Sequence, residues 1–89
     1  MNVEFDKSFL KSIERLDNRK ILNKADSIIL LCKSAQNLSD IQNVKKLSGF
    51  SNFYRIKIGN YRIGFELLNK ETIRFIILLH RKDIYKKFP

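Results

Sequence analysis

The stretch FYRIKIGNYRIGFEL, residues Phe53 to Leu67, decides the fold. Its halves nearly repeat, Tyr54-Arg55-Ile56 and Tyr61-Arg62-Ile63, on either side of Gly59-Asn60. Apolar and polar residues alternate along both halves, the period of a strand with one buried face. A two-residue loop with Gly first is the type II′ hairpin turn. That loop sets the register: Ile58 faces Tyr61, Lys57 faces Arg62, Ile56 faces Ile63 and Arg55 faces Gly64. Tyr54, Ile56, Ile58, Tyr61, Ile63, Phe65 and Leu67 then point inward, which makes Tyr54 and Tyr61 packing residues rather than stacking platforms. Arg55, Lys57, Arg62, Gly64 and Glu66 share the outer face. Like charges directly opposed, Lys57 against Arg62, destabilise a sheet by about 0.2–1 kcal/mol. Stability alone would place Glu or Thr there. Two explanations stand: a plain solvated face with Glu66 softening the field, or a site for a polyanion. Gly64 is expected to leave backbone open to a closely approaching ligand.

Working outward, Asn69-Lys70-Glu71 is a second turn and Thr72 to Leu79 a third strand, apolar on both faces as a covered central strand is. At the other end Met1 to Phe5 alternates and reads as a short strand. Asp6 stands at a helix cap position, followed by Phe9, Leu10, Ile13 and Leu16 at helical spacing. Asp17-Asn18 breaks that helix. From about Arg19 a second one carries Ile21, Leu22, Ala25, Ile28, Ile29 and Cys32 on one stripe. A polar connection runs from Ser34 to Val44, anchored by Leu38 and Ile41. The final residues, Arg81 to Pro89, form a helical turn or a tail. The class is therefore α+β in a single domain, residues 1–89. It comprises an N-terminal strand, a helical hairpin and a three-stranded antiparallel meander, with both helices on one sheet face.

The 89 residues carry 18 Lys and Arg against 9 Asp and Glu, a formal net charge of +9. So strong a field in so small a domain calls for a nucleic acid or an acidic protein as its complement. Cys32 is the only cysteine, which excludes an internal disulfide and fits a reducing cytoplasm. Its place on an apolar helix stripe makes it a core residue. One His, one Cys and no paired carboxylates at ligand spacing give no zinc or magnesium site, so neither metal nor cofactor is expected. No Ser-His-Asp or Cys-His device, Gly-rich phosphate loop or membrane-spanning run is legible, the longest apolar run being Phe75 to Leu79.

Lys46-Leu47 with Gly49, Tyr54-Arg55-Ile56-Lys57, Gly59, Tyr61-Arg62-Ile63, and finally His80-Arg81 with Ile84-Tyr85 form a block that resembles the RelE/ParE superfamily of bacterial toxins from type II toxin–antitoxin pairs. The likeness covers the whole chain; its most specific part is this block, which marks the superfamily and, within it, points to the RelE-like RNase branch. RelE-like members are metal-independent mRNA interferases, cutting mRNA in the ribosomal A site by attack of a ribose 2′-OH on the adjacent phosphate. The resemblance implies that Arg62 and Arg81 hold and neutralise the scissile phosphate. Arg55 and Lys57 would favour the dianionic transition state. Tyr85 would stack on the neighbouring base or act as general base, and Lys45, Lys46 and Lys82 would extend the contact to RNA. His80 has two readings: general acid for the 5′-oxygen leaving group, or a packed residue at a strand end. The implied partners are mRNA, the ribosome and a cognate antitoxin, acidic in its toxin-binding segment; the antitoxin, not this chain, would read DNA. Two other functions stay open, a ParE-type gyrase poison and a non-catalytic RNA-binding module.

Overall fold

Two side-chain caps fix where the helices begin. Asp6 accepts the backbone N–H of Ser8 and opens α1 (Lys7–Arg15), and Asn18 accepts the N–H of Ile21 to open α2 (Arg19–Ser34). The Ser8 hydroxyl and N–H together hold the Asp6 carboxyl below its ordinary value. The structure, a computed structural model, describes residues 1–89. Around the helices it places β1 (Asn2–Phe5), a 3₁₀ turn (Leu38–Asp40), β2 (Val44–Lys46), β3 (Phe53–Ile58), β4 (Tyr61–Asn69), β5 (Thr72–His80) and α3 (Ile84–Lys87).

The strands form one five-stranded sheet in the order β1-β5-β4-β3-β2. β3, β4 and β5 make the antiparallel meander, while β1 lies parallel to β5, Asn2 beside Thr72 and Phe5 beside Phe75. The hairpin register is the one its turn dictates, Ile58 with Tyr61 through Arg55 with Gly64, and Gly59 takes φ +60° at the bend. β2 is an addition: Val44-Lys45-Lys46 pairs with Ile56-Arg55-Tyr54 and forms the far edge of the sheet.

One face of the sheet carries both helices. Phe9, Ile21, Ala25 and Cys32 pack on Ile56, Ile63, Phe65, Ile73, Phe75 and Leu78 in a single buried cluster. Each such Ile, Leu or Phe contributes about 1.5–3 kcal/mol by leaving water. Phe5, Phe9 and Phe75 lock α1 to the β1–β5 pair, with ring centroids 5.5–5.8 Å apart. Ile41 is buried and Leu38 half-buried, the two anchors expected of the connection. The Met1 amino group donates to the carbonyls of Cys32, Lys33 and Ala35, partnering groups that the end of α2 leaves without helical bonds.

β5 departs from regular alternation once. Gly64 pairs with Ile77 but Phe65 pairs with Phe75, so Ile76 is an extra residue in the ladder. Serines of α1 hold this bulge: the Ser8 hydroxyl donates to the Ile76 carbonyl, and the Ser12 hydroxyl accepts the N–H of Leu78 at 3.0 Å. The extra residue inverts the phase of the strand. Up to Phe75 the odd positions face the helices; beyond it Leu78 and His80 do, opposite Ile63 and Tyr61.

Candidate active site

The face of the sheet turned away from α1 and α2 holds the cations in two short rows. Lys45, Arg55 and Gly64 lie across β2, β3 and β4, and Lys57 and Arg62 lie across β3 and β4 one step nearer the turn. Directly opposite residues in an antiparallel pair stand about 4.5–5.5 Å apart at Cα. Arg62 is held by its own hairpin, with Nη1 donating to the carbonyls of Gly59 and Tyr61 at 2.9 Å each. Arg55 reaches the Asn43 carbonyl through Nη1 at 3.4 Å, and its Nε is buried with no acceptor. The N–H of Arg81 donates to the Asn60 carbonyl at 2.8 Å, which brings the start of the C-terminal segment to the same turn.

Ion pairing is concentrated elsewhere. Arg74 lies 3.9 Å from Glu66 and 3.8 Å from Glu4. Glu66, which was to soften the cationic face, is therefore taken up by Arg74. Arg55, Lys57, Arg62 and Arg81 have no carboxylate within 4.0 Å. Of these, the Arg55 and Arg62 guanidiniums are held by backbone carbonyls, and such held, unpaired groups receive anionic oxygens at little reorganisation cost.

The expectation for Gly64 needs correction. Its backbone is not open to a ligand, because the chain's own C-terminal segment covers it. α3 crosses this face with Ile84 fully buried, and Phe88 sets its ring directly on Gly64. A Cβ at position 64 would lie 2.7–2.8 Å from three Phe88 ring carbons, closer than side chains pack. Phe53 meets the same ring edge-on at a centroid distance of 5.7 Å, and Phe50 meets Phe53 edge-on at 5.9 Å. Glycine is needed here for close approach between parts of one chain. Phe88 is the residue that sequence reasoning missed; the only signal was an aromatic in a tail and a gap in the sheet that the pattern offers to a ligand.

This anchoring leaves Tyr85 59% exposed, where it borders a hollow of about 470 Å³ with Leu47, Phe50 and Phe88. Lys82 is exposed just beyond β5, while Lys46, paired with Tyr54, alternates to the side opposite Lys45 and Arg55. His80 is not brought to the cations either. The Ile76 bulge turns it to the helix side, where its ring meets Tyr61 edge-on at 5.3 Å and its Nδ1 accepts the Lys82 N–H at 3.2 Å. Arg55, Lys57, Arg62 and Lys45 thus share one face with α3 across it, and His80 stands apart. Cys32 is fully buried, with its thiol pushed up to about 11 by burial, so it offers no nucleophile. No three His, Cys, Asp or Glu side chains converge as metal ligands, and no helix is long and apolar enough to cross a membrane.

Comparison with known proteins bears on this arrangement as a whole. Residues 3–85 match the family model described as the ParE toxin of the type II toxin–antitoxin system parDE. The chain is 42% identical over 90 residues, spanning the full length of both, to toxin RelE3 of Methanocaldococcus jannaschii. It superposes on the crystal structure of a RelB–RelE antitoxin–toxin complex from Methanococcus jannaschii with a TM-score of 0.80 at 40% identity, covering 97% of this chain and 99% of that one. The isolated RelE toxin of E. coli shares the fold, with a TM-score of 0.64 at 20% identity over 89% of this chain and 82% of that one. With an N-terminal strand parallel to the last one, a helical hairpin on one face and a cationic hairpin on the other, this chain belongs to the RelE/ParE family of type II toxin–antitoxin toxins.

Proposed function

We propose that this toxin is an endoribonuclease that cuts mRNA on the ribosome, in the cytoplasm, and thereby stops translation. The observation that supports this reading most is the set of Arg55, Lys57, Arg62 and Arg81, cations gathered about one sheet face and turn and left without carboxylate partners. In the proposed reaction the 2′-oxygen of a ribose loses its proton and attacks the adjacent phosphorus, the bond to the 5′-oxygen breaks as that oxygen takes a proton from water, and a 2′,3′-cyclic phosphate and a 5′-hydroxyl are left. No metal takes part. Arg62 and Arg81 bind the non-bridging phosphate oxygens, and Arg55 and Lys57 stabilise the second negative charge that develops on them. Tyr85, exposed on α3, takes the 2′-OH proton or stacks on the base beside the cut. A phenol, ordinarily of pKa about 10, acts as a base near neutral pH only where cations favour its ionised form. His80 lies on the other side of the sheet, so the proposed reaction does not use it.

The partner we propose is an acidic antitoxin segment that neutralises the same face. Charge complementarity favours it, as does the RelB–RelE complex of the 40% identical relative. Gyrase poisoning is the second reading, favoured by the ParE family model. Inducible expression in a bacterial host, with primer extension on a translated reporter mRNA, separates the two. Growth arrest with new cuts, lost in Arg62→Ala and Arg81→Ala, is expected. Arrest with DNA damage and uncut mRNA would transfer the assignment to gyrase.

A further inference from the structure

His80 and Tyr61 are left unused by the cationic face, and they meet again in a second place. Between α1 and the C-terminal half of β5 runs a groove of about 360 Å³. It exists because β1 pairs with β5 only as far as Phe75, after which the chain turns into α1 and leaves residues 76–80 without a neighbouring strand on that side. Its lining includes Lys11, Ser12 and Arg15 of α1, Tyr61 and His80 at the end of the sheet, and Lys87 of α3. Asp83 is the one carboxylate among them, so cations outnumber anions three to one. Leu16, at the end of α1, supplies apolar wall.

We propose that this groove is a nucleotide-binding site, separate from the cationic face, that takes one nucleotide unit with its phosphate on the rim and its base against the Tyr61–His80 pair. The phosphate is recognised by Lys11, Arg15 and Lys87, which are exposed and have no carboxylate within 4.0 Å. The base is recognised by aromatic surface and by donors: Nδ1 of His80 already accepts the Lys82 N–H, which leaves Nε2 as the nitrogen able to donate. Tyr61 packs inward as its alternation indicates but is only half-buried, and on its groove side its hydroxyl adds a second group able to donate or accept. A cavity of this volume lies within the range of about 300–1,000 Å³ of small-ligand sites. The assignment does not rest on the ribonuclease reading, because the groove shares none of Arg55, Arg62, Arg81 or Tyr85.

The test is a nitrogen-15 NMR titration of the full chain carrying Arg62→Ala, a change outside the groove, with 5′-AMP, adenosine, inorganic phosphate and a pentanucleotide RNA as probes. Expected are shifts at Lys11 to Leu16, Tyr61 and His80 with 5′-AMP and weaker ones with adenosine or phosphate alone. The exposed pair Lys11→Glu and Arg15→Glu should weaken 5′-AMP binding at least about tenfold with the remaining spectrum unchanged. Tighter binding of the pentanucleotide assigns the site to an RNA strand, and equal binding assigns it to a free nucleotide. Shifts confined to the Arg55–Lys57 face, or equal response to phosphate and 5′-AMP, overturn the proposal. Since the readout is binding, loss of mRNA cleavage leaves it standing, and an empty groove leaves the cleavage reading untouched.

Discussion

Replacing Gly64 by Ala adds a single methyl group, and the structure says where that methyl goes: 2.7–2.8 Å from three carbons of the Phe88 ring. Carbon atoms pack at about 3.5–4.0 Å, so the ring must retreat by roughly an ångström or leave. A retreat is overpacking and costs about 1–3 kcal/mol. Expulsion forfeits the burial of Phe88, which is only 4% exposed and therefore worth about 1.5–3 kcal/mol, so the two routes give a similar loss. For a domain of this size each 1 kcal/mol shifts the melting temperature by about 4–8 °C, which predicts a fall of about 5–20 °C. The reasoning is specific to the pair. In a Phe88→Ala background the obstacle is gone, and Gly64→Ala should be neutral or slightly stabilising, because alanine stiffens the unfolded chain more than glycine does. A double-mutant cycle by urea denaturation is the assay, with a coupling of at least about 1 kcal/mol expected. Limited proteolysis near Arg81 to Lys87 should also accelerate in Gly64→Ala. Equal destabilisation by Gly64→Ala with and without Phe88 would refute the argument and place the cost in the strand itself.

Three further outcomes follow from other parts of the molecule. Lys57→Glu turns the like-charged pair with Arg62 into an attractive one, so thermal melting should show a gain of about 0.2–1 kcal/mol while mRNA cleavage in the primer-extension assay falls; a stabilised variant that still cuts would remove Lys57 from the proposed site. Asp6→Ala should cost about 0.5–2 kcal/mol at neutral pH through loss of the α1 cap. Because the folded-state pKa of Asp6 lies below its unfolded value of 3.8, the charge-linked part of that stability is present above the unfolded value and is lost as pH falls through the folded one. Urea midpoints of wild type and variant should therefore converge below about pH 4, and a constant gap would contradict the linkage. Cys32, buried and with its thiol pushed up to about 11, should resist a thiol reagent at pH 8 in the native protein and react fully in urea; prompt native labelling would contradict its placement.

The hairpin was legible because its information is local. Gly59-Asn60 fixes the turn, alternation fixes the face, and together they yield the register of β3 and β4. Asp6 announced α1 for the same reason, whereas Asn18 reads in the sequence as the break between the helices and the structure shows that it also caps α2. β2 was not legible: Val44-Lys45-Lys46 is three residues with two exposed lysines, and it is a strand only because the edge of β3 offers it partners. The environments of Gly64 and His80 depend on distant groups. Phe88 lies twenty-four positions beyond the glycine it covers, in a segment with no period to read. Simple counting along β5 from Phe75 would send His80 to the cationic side, but the bulge at Ile76, held by serines from α1, reverses the phase and sends it to the other.

The parallel pairing of β1 with β5 also bears on when the toxin becomes dangerous. Asn2 waits for Thr72 and Phe5 for Phe75, partners seventy residues further along the chain. A chain growing at about 5–20 residues per second spends several seconds with its first strand unpaired and its central strand unmade. During that interval Phe9 and the α2 stripe have no completed sheet to pack on, and Arg81 and Tyr85 have not yet been joined to the hairpin. Contacts this distant in sequence form late, since loop closure must precede them. The cationic face is therefore assembled last, and under the proposed function the ribosome making this protein would not meet the finished face until synthesis is complete.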